Sequence, residues 1–144
     1  MLHHVSFGVS NIERSAAFYD AALAALGYVR VWEDIRPGEA YQAIGYGIPG
    51  GGDKLAIKFC PEDQRPPGPG FHLAFLSESR AAVAKFHDAA ILHGGIDNGR
   101  PGLRPHYGSH YFAAFVVDPD GHHIEAVFNS PDLGAATEKP PSVE

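Results

Sequence analysis

The feature that most constrains the fold of this chain is an internal repeat, in which the sequence matches itself after a shift of 68 positions. The segment 4–7 returns in related form as 72–75, and the segment 18–22 returns as 86–90. A repeat of this kind indicates one supersecondary unit that is used twice. It also makes His4 and His72 equivalent positions in the two halves.

Composition narrows the class of protein. A hydrophobic fraction of 44% suits a globular chain, and a net charge of −6 argues against nucleic acid or an anionic membrane as the main partner. The only cysteine, Cys60, excludes an internal disulfide and favours a reducing, cytoplasmic compartment. We therefore expect a small-molecule partner rather than nucleic acid or lipid.

The predicted elements have the same order in both halves, strand-helix-strand-strand-strand. Alternating apolar residues and turn signals predict first-half strands at 2–9, 28–33, 41–48 and 54–60, and second-half strands at 71–76, 111–117 and 122–128. The segment 96–109 is expected to be irregular, with a short strand and a long loop. The 144 residues are predicted to form one domain over 1–130, with halves 1–60 and 71–128, a linker at 61–70 and a flexible tail at 131–144.

Helix signals are found after the first strand of each half. Ser10-Asn11-Ile12-Glu13 has the capping-box pattern, which predicts that the first helix begins at Ser10 and ends before Gly27. A second helix is predicted at 79–92. The pattern is α+β, because each half combines one helix with several strands.

Strand alternation places three candidate metal ligands on the sheet faces that point away from the helices. Valine, leucine and phenylalanine side chains of the first strand in each half are predicted to pack under a helix, so His4 and His72 point the other way. In the last strand Glu125 likewise faces away from the helices. Two histidines and a carboxylate are the ligands of an open divalent-metal site.

These residues resemble a known family, the vicinal oxygen chelate superfamily of glyoxalases, bleomycin-resistance proteins, fosfomycin-resistance transferases and extradiol dioxygenases. The resemblance covers residues 2 to 128 and is carried by His4 and Val9, the stretches 10–15, 18–19 and 26–28, the strand start at His72, and Asp118-Pro119-Asp120-Gly121-His122-His123-Ile124-Glu125. It implies two βαβββ modules whose eight strands form an open, curved mixed sheet around a metal-site cleft. It also implies that His4, His72 and Glu125 are ligands of a divalent metal, Fe²⁺, Mn²⁺, Ni²⁺, Co²⁺ or Zn²⁺.

The fourth ligand position separates branches of this family. In lactoylglutathione lyases it is usually a glutamate on the fourth strand of the first half, and the sequence match of 57–58 with 124–125 places Lys58 there. An ammonium group cannot ligate a metal, which weakens a standard glyoxalase assignment. A two-histidine-one-carboxylate set with open positions remains.

Further candidates surround this set. The resemblance implies a substrate that chelates the metal through two adjacent oxygens, and proton transfer then needs a nearby group. His110, Tyr111 and His123 are the candidate catalytic residues, because they border the long loop or share the face of Glu125. Lys58, Arg100 and Tyr107 are candidates for binding the substrate.

The resulting hypothesis is a small divalent-metal-dependent enzyme, either a glyoxalase-like lyase or isomerase or a ring-cleaving dioxygenase. The alternative is a metal-free protein that sequesters a drug or metabolite, as bleomycin-resistance proteins do. Members of the family commonly form homodimers, so we expect one here. The sequence leaves open whether one chain or two build each site.

Overall fold

The computed structural model of the protein describes residues 1–61 and 68–132. The first half contains β1 (Val5–Val9), α1 (Ile12–Ala24), β2 (Val29–Asp34), β3 (Ala43–Gly47) and β4 (Leu55–Phe59). The second half contains β5 (Leu73–Leu76), α2 (Arg80–Leu92), β6 (Ile96–Leu103), β7 (Tyr111–Val117) and β8 (His123–Asn129). The predicted linker and tail lie mostly outside the described residues.

The strands form two mixed sheets of four, in the orders β1-β4-β3-β2 and β5-β8-β7-β6. In each sheet the first and last strands of the module pair in parallel, and the other pairs are antiparallel. The α+β class and the two βαβββ modules are thus confirmed. Within the chain, β1 and β5 each lie at a sheet edge.

The apolar faces of both sheets and the two helices share one core. Leu55 and Ile57 of β4 are buried there, as are Ile124 and Ala126 of β8. Phe86 of α2 belongs to the same cluster. Side chains two residues apart on a strand share a face, so the residues between these core positions point to the opposite side of each sheet. Neither described helix is long and apolar enough to cross a membrane.

One local prediction was wrong, and another was incomplete. The N-cap of α1 is Asn11, whose side chain accepts a hydrogen bond from the Arg14 amide at 3.0 Å, and not Ser10. The segment 96–109 contains a strand and a loop, as predicted, but the strand β6 has eight residues and is longer than expected. Its pairing with β7 shifts between Asp97 and Gly99 and again before Gly102, so the alternation that marks a strand in sequence is broken.

The turn between β7 and β8 docks the second module onto the start of α1. Asp120 Oδ1 accepts hydrogen bonds from the Ser10 amide and the Arg14 guanidinium, both at 3.2 Å, and from the Ser10 hydroxyl. Its Oδ2 accepts from Ser15 Oγ at 3.2 Å. The Asp120 side chain is only 3% exposed. A buried carboxylate here also compensates the positive end of the helix dipole.

Asp118 builds the turn that presents Asp120. Its Oδ1 accepts hydrogen bonds from the backbone amides of Asp120 and His122 at 2.9 and 2.8 Å. Its Oδ2 accepts a hydrogen bond from the hydroxyl of Tyr19 in α1. Burial raises the pKa of the Asp118 carboxyl, although these hydrogen bonds act in the opposite direction. His122 Nε2 lies 2.9 Å from the carbonyl oxygen of Gly8, which adds a contact to β1.

We predict that Asp120→Asn lowers the free energy of unfolding by about 2–3 kcal/mol, because an amide cannot accept all four hydrogen bonds that the carboxylate accepts. Urea denaturation followed by circular dichroism measures this change. Asp88→Asn on the exposed surface of α2 is the matched control and should change stability by less than about 0.5 kcal/mol. Equal effects of the two substitutions would contradict a docking role for Asp120.

Candidate metal-binding site

Glu125 is a buried carboxylate on the sheet face opposite the helices. It lies on β8 between Ala74 of β5 and Phe115 of β7, while its neighbours Ile124 and Ala126 point into the core. It is only 1% exposed. Removing a carboxylate from water is costly unless it is hydrogen-bonded and its charge is compensated.

Two side chains meet the Glu125 carboxylate. The hydroxyl of Tyr111 donates to Oε1 at 2.6 Å, and His72 Nε2 lies 3.2 Å from Oε2. His72 is the only ion-pair partner of Glu125 in the described part of the chain, and its side chain is 52% exposed. Burial, the hydrogen bond to Glu125 and the charge of that carboxylate together raise the pKa of Tyr111 to about 12. An imidazole nitrogen and a carboxylate oxygen this close are a plausible pair of metal ligands by chemistry.

A cavity of about 330 Å³ opens over this pair. It is lined by His72, Tyr107, Tyr111, Phe115 and Glu125. The rings of Tyr107 and Tyr111 are 5.2 Å apart. Four of the five lining side chains are thus aromatic or imidazole rings, which suits a small and partly apolar ligand.

His4 is not part of this cluster within one chain. It immediately precedes β1, is exposed, and its Nδ1 lies 2.8 Å from Nδ1 of His3. The residues that the structure describes contain no group of three or more His, Cys, Asp or Glu side chains that could hold a metal ion. The structure therefore brings together two of the three predicted ligands.

The pairing register identifies equivalent residues in the two modules. In the first module one row runs across β1, β4, β3 and β2 through Ser6, Ala56, Gly45 and Trp32. In the second module the corresponding row runs across β5, β8, β7 and β6 through Ala74, Glu125, Phe115 and Gly99. We call these the first and second cleft rows, because both lie on the sheet face opposite the helices. Ala56 is the first-module equivalent of Glu125.

This register corrects the position expected for Lys58. Val5 pairs with Leu55, whereas its equivalent Leu73 pairs with Ile124. The sequence match aligned Lys58 with Glu125, but the strand pairing aligns Ala56, two residues earlier, with Glu125. Lys58 stands two residues beyond Ala56 on β4, on the same face. The first-module position that is equivalent to Glu125 is thus occupied by the methyl side chain of Ala56 and not by the ammonium group of Lys58.

Trp32 was missed by the sequence analysis. Its indole occupies the space beside Gly45, so that a Cβ added at Gly45 would overlap the indole nitrogen. In the second row the aromatic residue is instead Phe115, which lies over Gly99, and the guanidinium of Arg104 lies 5.3 Å from its ring. Each row thus has one aromatic ring over one glycine. The pairing of these rings with glycines becomes visible only when the strand register is known.

The remaining predicted site residues are spread over three regions. Lys58 lines a separate cavity of about 580 Å³ on the first sheet, together with Ser6, Gly8 and Tyr41. His123 is exposed at the start of β8, on the face of Glu125, and His110 is exposed just before β7. The structure does not bring Arg100 to this face, since it lines a groove beside His87 and Asp97 between α2 and β6.

The fold and this donor set lead to a family. Residues 1–126 match the model of the Glyoxalase/Bleomycin resistance protein/Dioxygenase superfamily. Because the match covers most of the chain, the protein belongs to this superfamily.

Solved structures from this superfamily are similar to the chain. A glyoxalase/bleomycin resistance protein from Albidiferax ferrireducens is 29% identical, with a TM-score of 0.64, over 88% of this chain and 96% of that one. A glyoxalase-related enzyme from Fulvimarina pelagi is 25% identical, with a TM-score of 0.66, over 90% and 88%. Glyoxalase I from Zea mays is 25% identical, with a TM-score of 0.67, over 88% of this chain and 45% of that one. No significant match is found among curated proteins.

We predict that Gly45→Ala destabilises the protein by about 1–3 kcal/mol, because the new methyl group displaces the Trp32 indole. Thermal and urea unfolding measure the cost. In a Trp32→Leu background the same substitution should cost less, which a double-mutant cycle isolates. Gly52→Ala is the control, since a Cβ there meets no atom within 4 Å. Additive effects of the Gly45 and Trp32 substitutions would show that the two residues do not pack together.

Proposed function

We propose that this protein is a divalent-metal-dependent enzyme that acts on a small molecule able to chelate the metal through two adjacent oxygens. The observation that carries the proposal is the buried Glu125 carboxylate. In the described part of the chain, its side-chain partners are the neutral phenol of Tyr111 and the imidazole of His72. A metal cation would compensate that charge. Its position beside an aromatic cavity suits a small substrate.

The proposed ligands are His4, His72 and Glu125. Two imidazoles and one carboxylate suit Fe²⁺, Mn²⁺, Co²⁺, Ni²⁺ or Zn²⁺. The alanine at position 56 adds no fourth protein ligand, so coordination positions stay open for two substrate oxygens. When bound, the metal would act as a Lewis acid on those oxygens.

A second copy of the chain is proposed to supply His4. His4 and His72 precede β1 and β5, and these strands are edges of their sheets. An unpaired edge strand is a natural site for association. On the cleft face of β5, Leu76 is 68% exposed, as expected of a surface that another subunit covers. In this homodimer His4 of one copy would meet His72 and Glu125 of the other.

The other side chains of the cavity have distinct proposed tasks. Tyr111 is a positioning residue, because its hydroxyl fixes one oxygen of Glu125. Tyr107 would contact the substrate, since its ring borders the same cavity. His110 and His123 remain the candidates for proton transfer, and Lys58 for pairing with an anionic group of the substrate. The single cysteine favours a reducing, cytoplasmic location.

Two reaction classes fit this site. Similarity to glyoxalase I from Zea mays favours a lyase or isomerase. A set of two histidines and one carboxylate favours oxygen chemistry at Fe²⁺, as in a ring-cleaving dioxygenase. The metal-free sequestering alternative is disfavoured, because it gives no reason to bury Glu125 against His72.

We predict that protein purified without a histidine tag or chelator binds about one divalent metal per chain, and that His72→Ala and Glu125→Ala abolish this binding while the protein still folds. Elemental analysis measures the metal, and circular dichroism measures folding. His93→Ala, at the exposed end of α2, is the control and should retain the metal. Wild-type protein that holds no metal and gains no thermal stability from added metal would favour the sequestering alternative.

We further predict that mixing His4→Ala with His72→Ala chains restores metal binding. Neither variant has a complete site, but a mixed dimer unites His4 of one chain with His72 and Glu125 of the other. With random pairing about a quarter of the sites are restored, because half of the dimers are mixed and each has one intact site. The mixture is prepared by co-refolding and analysed for metal. A mixture as empty as the two separate variants would place the whole site in one chain, whereas a His4→Ala variant that keeps the metal by itself would exclude His4.

A further inference from the structure

We propose that Trp32 is a specificity-determining residue, which presents a flat indole face to the substrate and makes the site select planar, conjugated molecules among those that chelate through adjacent oxygens. This inference rests on the proposed function. It is carried by the position of Trp32 in the first cleft row, by the strand irregularity that places it there, and by its exposure.

A β-bulge determines the face on which Trp32 lies. Arg30 pairs with Tyr46, but Trp32 pairs with Gly45, so that β2 has one extra residue between the two pairs. Without this bulge Trp32 would stand opposite Ile44, which is buried in the core. The bulge therefore moves the indole from the helix side of the sheet to the cleft side. Bulges near binding sites often redirect a side chain in this way.

The surroundings of Trp32 seat its indole beside a glycine and leave the side chain partly open to solvent. Gly45 has no side chain, and the indole fills the space that a Cβ there would take. The next residue in the row, Ala56, is small and buried. Trp32 nevertheless remains 40% exposed. Core packing does not explain why a large aromatic side chain on the cleft side of the sheet stays open to solvent, whereas a stacking surface does.

The second cleft row complements the first. Its aromatic ring, Phe115, lines the cavity above Glu125 and His72. Because Trp32 and Ala56 share a row, and Ala56 is the equivalent of Glu125, Trp32 belongs to the same level of the cleft as the carboxylate. A site assembled from His4 of one sheet and His72 of the other would therefore have an aromatic ring from each module. Such rings favour a flat conjugated ligand over a flexible aliphatic one.

The test compares two chelators that both bind through adjacent oxygens. Tropolone is flat and conjugated, whereas acetohydroxamic acid has no ring. Zinc-loaded protein is titrated with each by calorimetry, because zinc has no redox chemistry that could consume the probes. We expect Trp32→Leu to weaken tropolone binding about threefold to tenfold relative to acetohydroxamic acid, with zinc content unchanged. Trp32→Phe keeps an aromatic face and should restore most of the preference.

A second readout locates the ligand. Trp32 is the only tryptophan of the chain, so its fluorescence reports on this position alone. Tropolone should quench that emission more than acetohydroxamic acid does at equal saturation. If both chelators bind zinc-loaded protein but their affinity ratio is the same in wild type and Trp32→Leu, the role of Trp32 is refuted and the proposed function stands. If the wild type takes up no zinc and binds neither chelator, both proposals fail.

Discussion

The architecture depends on one buried carboxylate. Asp120 leaves water to accept hydrogen bonds from the amide, hydroxyl and guanidinium groups at the start of α1, which belong to the other module. This contact fixes the second module on the start of α1, beside the hydrophobic core that both sheets and both helices share. Neither described helix covers the opposite sheet faces, and those faces contain His72 and Glu125.

Two modules with the same topology differ in what their cleft rows contain. The second row has a charged residue, Glu125, beside an aromatic ring of the middle strand. The first row has Ala56 at that position and an indole that reaches in from the outer strand. The asymmetry therefore divides the work, with metal ligation proposed for one row and substrate contact for the other.

Much of this arrangement could be predicted from the sequence, because repeats and alternation are local signals. They correctly indicated the two βαβββ modules and the shared face of His72 and Glu125. Other features depend on distant parts of the chain. Ser10 has the pattern of an N-cap, but its hydroxyl bonds instead to Asp120, more than a hundred residues away. The alignment of Lys58 with Glu125 failed because strand register is set by pairing. Trp32 was missed because a bulge reverses the face that alternation assigns to it.

If the proposed function is right, the charge of Glu125 links metal binding to dimer formation. In one chain this carboxylate has a tyrosine hydroxyl and a half-exposed imidazole as partners, and no third ligand is within reach among the described residues. If the third ligand comes from a second copy, the metal binds the dimer better than the monomer. Linkage then requires that the metal stabilises the dimer by the same free energy, so its apparent affinity depends on protein concentration. A site formed within a single chain would show no such dependence.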